Sequence, residues 1–443
     1  MQRITIRDVS VAYEHHLYRT PIKFGGVALD RVTILNVWMD LERNDGKTAR
    51  GFGSMPLGNV WAWPSRVMSY DQTLGAMQEF AGATAPLYRN EAGGHPIDIT
   101  HDLEPELLAL TIPNAPPEPM PALAKLVVAS AFDAALHDAF GKLHGLNCWR
   151  TCGPEFVEHD LGHYLGPEFA GERLYNYITT EPKPRMPLYH LVGALDPLAE
   201  ADVTAPVGDG LPEHLGEWIA RDGLTHLKIK LNGDDLAWDV DRVVSVDAVA
   251  NVVQQRRGCS GWWYSLDFNE RCQNVEYLLE FIRRLRERTP AGFDRIQYIE
   301  QPTARDLKAH GENKMHEAAK YKPVVIDESL IDLESLQLAR EMGYTGVAFK
   351  ACKGQTQTLL LAAAAQKYGL FRCVQDLTCP GASLIHSAGI AAHVPGVAAI
   401  EANSRQYCPA ANAAWEAKFP GVFTTRDGTM NTAILDGPGL GAV

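Results

Sequence analysis

The stretch THLKIKL, residues 225–231, sets two lysines one residue apart in a run that otherwise suits a strand. Strand side chains alternate, so Leu227, Ile229 and Leu231 share one face and Lys228 and Lys230 share the other. On an edge strand the lysine face would be solvated, and for an isolated KxK that is the simpler reading. In a closed barrel the apolar face meets the surrounding helices, and both ammonium groups turn inward. The neighbouring strands decide between the two.

From residue 186 onward, strand-like runs alternate with segments of helical period. The runs are PLYHLVG (187–193), THLKIKL, WWYSLDF (262–268), RIQYIEQ (295–301), PVVIDES (323–329), GVAFKAC (346–352), RCVQDLT (372–378) and AAIEANS (398–404). VEYLLEFIRRLRER (275–288) and LESLQLAREMG (333–343) are typical of the helical segments between them. Eight βα units in series predict an α/β fold with a parallel TIM-type barrel, whose active site lies at the C-terminal ends of its strands. In that setting Lys228 and Lys230 face the interior, with Lys230 nearer the mouth.

Three consecutive strands end in an acid: Asp267, Glu300 and Asp327. One such acid is commonly a helix cap or an ion-pair partner. Three that converge on one mouth repel one another unless a cation sits among them, and oxygen-only ligation favours Mg²⁺, or Mn²⁺, over zinc. The next strand ends in Lys350, about half the circumference from Lys230, so the two lysines should face each other across the metal.

That arrangement suits removal of a proton next to a carboxylate. The cation stabilises the enediolate and a lysine acts as base, its pKa lowered by the metal and by a neighbouring ammonium such as Lys228.

The rest of the chain is consistent with an enzyme. A length of 443 residues with 46% hydrophobic content supports a large core, and a formal charge of -13 disfavours nucleic acid or an anionic membrane as partner. The eight cysteines lack paired metal-site spacing and read as reduced thiols. The start has no signal-like apolar segment and the longest apolar stretch, TLLLAAAAQ (358–366), is too short to span a bilayer, so a cytoplasmic enzyme is expected. ITIRDVSVAY (4–13) and RVTILNVWMDLE (31–42) predict a small antiparallel sheet, and residues 121–147 a helix that stops near Gly145.

With KIK, LDFNE, IEQP, IDES and FKACKG in order, and ALHDAFGKLHG (135–145) ahead of them, the chain resembles the enolase superfamily, in its mandelate racemase and muconate-lactonizing branches. The resemblance implies a (β/α)7β barrel at 186–405, an N-terminal α+β capping domain with a junction helix at 1–150, a linker or insertion at 151–185, and a C-terminal segment at 406–443 that completes the capping domain. It implies metal ligands at Asp267, Glu300 and Asp327, acid/base lysines at Lys230 and Lys350, a small-molecule carboxylate as substrate, and a homo-oligomer. The lysine on the sixth strand looks like the muconate-lactonizing type.

Two departures stand out: Ser54 in GFGS occupies a place where the family commonly shows an acid, and the stretch between Asp267 and Glu300 is extended. Racemisation, epimerisation or cycloisomerisation is the expected outcome. Alternatives are β-elimination of water from a hydroxy acid or acid sugar and, from other classes, a Schiff-base lysine aldolase or a non-catalytic ligand-binding barrel.

Further residues carry secondary expectations. Glu401 and Asp376, at strand ends, are candidate substrate contacts or structural ion-pair partners. His15, His16 and Tyr18 are expected in a loop after the first strand, reaching over the mouth; NVWAWPS (59–65) is a similar candidate. Asn269 and Glu270 are expected to support the metal ligands or to cap the following helix. Lys353 is expected to be solvated, and His386 and His393 to be structural.

Overall fold

The computed structural model describes residues 3–24 and 26–441. Its N-terminal part is a sheet of four strands in the order β3-β2-β1-β4, made of β1 (Ile4–Phe24), β2 (Val27–Arg43), β3 (Thr48–Pro56) and β4 (Ala92–Gly93). The β1–β2 ribbon runs far beyond the expected strands. His15 pairs with Thr33 and His16 with Val32, so both histidines lie in β1 rather than in a loop. Tyr18 is also within β1, near a register shift between Leu17 and Ile22. The alternating sequence simply continues through them, and the antiparallel pairing continues with it.

Helices α1 (Asn59–Ala62), α2 (Tyr70–Tyr88), α3 (Pro96–Ala109) and α4 (Ala122–His144) follow. α4 is buried nearly all round and ends at Gly145, whose left-handed φ of 68° closes the helix. Strand β3 lies directly on it: a Cβ at Gly53 would come within 1.9 Å of the Ala131 carbonyl, and one at Gly51 within 2.1 Å of the Ala135 carbonyl. The glycines of GFGS therefore serve close helix-to-sheet contact.

After α5 (Leu161–Leu165) the barrel begins with β5 (Arg185–Val192) and continues with β6 (His226–Lys230), β7 (Trp263–Asp267), β8 (Ile296–Glu300), β9 (Val324–Ile326), β10 (Gly346–Phe349), β11 (Phe371–Val374) and β12 (Val397–Glu401). Neighbours pair in parallel in sequence order, and β12 pairs with β5 to close the ring. The intervening helices are α6 (Leu215–Asp222), α7 (Leu236–Arg256), α8 (Val275–Arg288), α9 (Pro290–Asp294), α10 (His316–Ala319), α11 (Leu333–Glu341), α12 (Gln355–Lys367) and α13 (Ala382–His393). Tyr189, Tyr298, Val325, Ala348, Cys373 and Ala399, from six strands, form one interior cluster. By alternation, the next inward residues toward the mouth include Glu300, Asp327, Lys350 and Glu401.

The last segment carries α14 (Ser404–Tyr407), α15 (Pro409–Glu416) and β13 (Thr429–Asn431), which pairs antiparallel with β5. The chain then returns to the end of α4, where Cys148 N–H donates to the Gly439 carbonyl at 2.7 Å and Leu440 N–H to Asp138 Oδ1 at 2.8 Å.

A second junction ties α4 to the barrel. Asp133 of α4 accepts from Thr356 N–H at 2.7 Å and Thr356 Oγ1 at 2.8 Å, sealing the first turn of α12. His137, one turn on, meets the same hydroxyl at 2.9 Å. All eight cysteines are free, and among the described residues no helix is long and apolar enough to cross a membrane.

Candidate active site

Register brings the acids and lysines together. Lys228 stands opposite Ser265 and Lys230 opposite Asp267, while Asp267 stands opposite Glu300. Asp327 follows the last residue of β9 and Lys350 the last residue of β10. β6 and β10 are four steps apart in a ring of eight, so Lys230 and Lys350 approach the mouth from opposite walls. Asp267, Glu300 and Asp327 are fully buried, and both lysines are 4% exposed.

The ammonium groups sit among the carboxylates. Lys228 Nζ lies 2.9 Å from Glu401, 3.0 Å from Glu300 and 3.1 Å from Asp267. Lys230 Nζ contacts Asp267 and donates to Asn269 Oδ1 at 3.0 Å. Lys350 Nζ lies 2.9 Å from Asp327 Oδ2. Burial favours the neutral amines of Lys228 and Lys350, but Glu300 with Glu401 outweighs it for the first and Asp327 for the second, so both stand above the ordinary lysine range. Lys228 is thus compensated chiefly by carboxylates.

Burial alone would raise Asp267, yet Lys230 and Lys228 hold it below the usual carboxylate range. Glu300 is pushed well up by burial and by the charge of Asp267. Acids crowded in this way are a donor set suited to a hard divalent cation. Asp327 Oδ2 is buried, with no hydrogen bond beyond its ion-pair contact to Lys350. With the ammonium groups interposed, no group of three or more acidic, His or Cys side chains among the described residues closes around one point.

Several expectations change in the structure. Lys353 is buried rather than solvated, and its Nζ lies 3.2 Å from Asp327 Oδ1. It rides on the 3-10 turn Ala351–Lys353, and three-residue spacing in such a turn puts it on the same side as Lys350. That spacing was visible in FKACKG. Asp376 has no cationic partner within ion-pair distance among the described residues; it accepts backbone N–H groups from Asn403 at 2.8 Å, Thr378 at 3.1 Å and Cys379 at 3.4 Å. Burial and the nearby Glu401 push it up to about 7.

The inward residue at that strand end is Gln375, which donates to Glu300 and, at 3.2 Å, to Tyr298. Glu401 is held by Lys228 and accepts from Asn403 Nδ2 at 2.7 Å. His16 pairs with Glu14 at 3.3 Å on the ribbon, and Tyr18 packs 6.4 Å from the Tyr407 ring; neither meets the lysines.

Asn269 N–H donates to Asp267 Oδ1 at 2.8 Å, and its side chain reaches Glu328 Oε1 at 3.3 Å. Glu270 is taken by Arg305. Neither caps α8, whose N-cap is Asn274. Asn269, Glu270 and Gln301 adopt φ of 44°, 59° and 28°, so strained backbone is concentrated behind two acid-bearing strands. His386 and His393 lie in α13, the latter stacked 4.6 Å from Trp149.

Residues 59–65 hold Trp61 over the site. Its ring centroid is 4.3 Å from Lys350 Nζ, its indole N–H donates to Glu328 Oε1 at 3.0 Å, and its carbonyl accepts from Arg305 at 3.0 Å. Burial and Asp327 push Glu328 up to about 7.

The profile of the family described as "Enolase C-terminal domain-like" matches residues 210–443. The L-Ala-D/L-Glu epimerase of Bacillus subtilis (strain 168) is 26% identical over 185 residues, which are 40% of this chain and 46% of that protein. The match thus spans under half of that curated relative. Over 99% of the chain, the fold is similar to the substrate-liganded Bacillus subtilis epimerase, at 18% identity, 98% coverage of that chain and a TM-score of 0.67. It is similar over the same share to the muconate lactonizing enzyme of Pseudomonas fluorescens complexed with muconolactone, at 17% identity, 96% coverage of that chain and a TM-score of 0.65. The dipeptide epimerase of Enterococcus faecalis V583, complexed with Mg and L-Leu-L-Tyr, is 14% identical, with 99% of both chains covered and a TM-score of 0.66.

Proposed function

We propose that this chain, which belongs to the mandelate racemase and muconate-lactonizing family of the enolase superfamily, removes the α-proton of a small carboxylate with one barrel lysine and returns a proton with the other. The products are those of racemisation, epimerisation or cycloisomerisation. The observation that carries this reading is the placement of Lys230 and Lys350 on opposite walls, with Asp267, Glu300 and Asp327 on the three strands between them.

Asp267, Glu300 and Asp327 are the residues that would hold Mg²⁺, with Mn²⁺ as an alternative, and a cation there supplies stabilisation of negative charge on the substrate carboxylate. The Mg in the Enterococcus faecalis relative supports this choice. Lys230 and Lys350 address opposite faces of the planar intermediate, so each is base in one direction and acid in the other. Lys228, tied to Glu300 and Glu401, fixes the wall beside Lys230. Asn269 orients Lys230 and Asp267 together. The relatives' names support small carboxylates such as dipeptides or muconolactone as the substrate class.

The test is incubation with Mg²⁺ in D₂O across dipeptides, N-acylamino acids and hydroxy or sugar acids, following α-deuterium and loss of water together. Deuterium incorporation with inversion and retained oxygen is expected. Loss of water as the main outcome would replace isomerisation by elimination, and the absence of exchange with every class would refute the proton-transfer reading.

A further inference from the structure

Lys350 is 4% exposed and Trp61, which covers it, is 5% exposed. The indole seated on the ammonium is therefore a cover that a substrate reaching Lys350 from this side would have to displace. Trp61 is carried by the four-residue helix α1, behind Gly58, whose φ of 49° suits glycine and whose Cβ would come within 2.2 Å of Leu377. Four contacts hold it: the ring on the Lys350 ammonium and, at 5.7 Å, on that of Lys353, the indole N–H on Glu328, and the carbonyl on Arg305. Beside it lies a cavity of about 510 Å³, lined on one side by Val60, Trp63, Pro64 and Met68 and on the other by polar residues that include Arg305 and Glu328.

We propose that Trp61 is a gate on Lys350, latched to Glu328 through its indole N–H, and that the substrate group that opens it is flat, apolar and carries a hydrogen-bond donor. The inference rests on the acid/base role of Lys350. When the indole turns off Lys350 toward the apolar side of the cavity, its N–H leaves Glu328 Oε1. Glu328 is 2% exposed, and its Oε2 already has no hydrogen-bond partner among the described residues. Oε1 would then keep only the longer bond from Asn269 Nδ2, at 3.3 Å. A buried acid that loses the shorter of its donors is disfavoured, so a ligand that restores the bond is selected over an isostere that cannot. The present contacts indicate the shape of that ligand: a flat ring over the ammonium with an N–H aimed at the carboxylate.

The first arm labels lysines with acetic anhydride and reads each site by mass spectrometry, which requires neither metal nor turnover. In wild type Lys350 should react about tenfold or more slowly than Lys308, whose side chain is 71% exposed. Trp61→Gly should accelerate Lys350 about tenfold, and added indole should restore protection. Trp61→Phe, which keeps a ring and loses the N–H, should accelerate it less, and it carries the test if the glycine variant does not fold. Unchanged Lys350 reactivity in folded Trp61 variants overturns the gate.

The second arm compares indole-3-acetate with benzofuran-3-acetate by calorimetry. The indole should bind about tenfold more tightly, and Glu328→Leu should abolish the difference. Equal affinities in wild type overturn the donor requirement. A failed gate leaves α-proton exchange intact, whereas a failed exchange assay leaves the labelling pattern intact.

Discussion

Lys228 and Glu401 meet at 2.9 Å across the closing seam of the barrel, with β5 between their strands. Both are buried, so the pair is tied into the same charge network as Glu300 and Asp267. Removing one partner strands the other in a low-dielectric interior. Glu401→Gln should cost about 1–3 kcal/mol in urea unfolding, less than a fully orphaned charge because two acids remain on Lys228. A double-mutant cycle with Lys228→Met should return an interaction energy of about 1 kcal/mol or more, and strict additivity would contradict the pairing.

For the metal, the expected signature is thermodynamic as well as kinetic. Mg²⁺ at 100 times its dissociation constant should stabilise wild type by about 2.7 kcal/mol. Asp267→Asn should remain folded and lose most of that gain. Thermal melts with and without Mg²⁺ decide it; equal stabilisation of both proteins removes Asp267 from the ligand set.

The opposed lysines make a stereochemical prediction. Lys350→Ala should stop inversion yet let Lys230 exchange deuterium into the enantiomer it deprotonates, and Lys230→Ala should show the mirror preference. Chiral separation followed by NMR reads both. Full racemisation by either variant rules out the two-base scheme.

His386 predicts the acid limb of stability. Burial, aided by Lys142, pushes it down to about 3, against about 6.5 in an unfolded chain. Between those values the unfolded state binds a proton that the native state refuses, so this contribution is complete above about 6.5 and is lost as the pH falls. Relative to His386→Leu, wild type should lose about 2 kcal/mol between pH 6.5 and pH 5. Urea unfolding of both proteins at the two pH values checks it, and a pH-independent difference would show that the ring is not held neutral.

The barrel was legible because period-two alternation places Lys228 and Lys230 against an apolar set, and because acids recur at one end of successive runs. What stayed hidden lies where local periodicity changes. Lys353 was misplaced because the chain leaves β10 for a 3-10 turn, which exchanges strand spacing for threefold spacing. Asp376 drew attention for its charge, although counting from Cys373 assigns the inward position to Gln375. His15, His16 and Tyr18 read as loop because polar residues interrupt the pattern, while the ribbon's hydrogen bonds run straight through the two histidines. Trp61 could be singled out as an aromatic near the site, but its partners are separated from it by more than two hundred residues, and only the closed fold joins them.

The seal that Asp133 places on the start of α12 bears on how this enzyme can be cut and recombined. The crossover helix behind Lys350 and Lys353 does not complete its own beginning; a carboxylate from the other half of the chain does it. A chimera that grafts a foreign capping module onto this barrel would inherit an open helix end beside Lys350 unless the donor helix also supplies an acid facing Thr356. The exchangeable unit is therefore the module together with its junction helix, and the natural place for a crossover lies beyond Gly145.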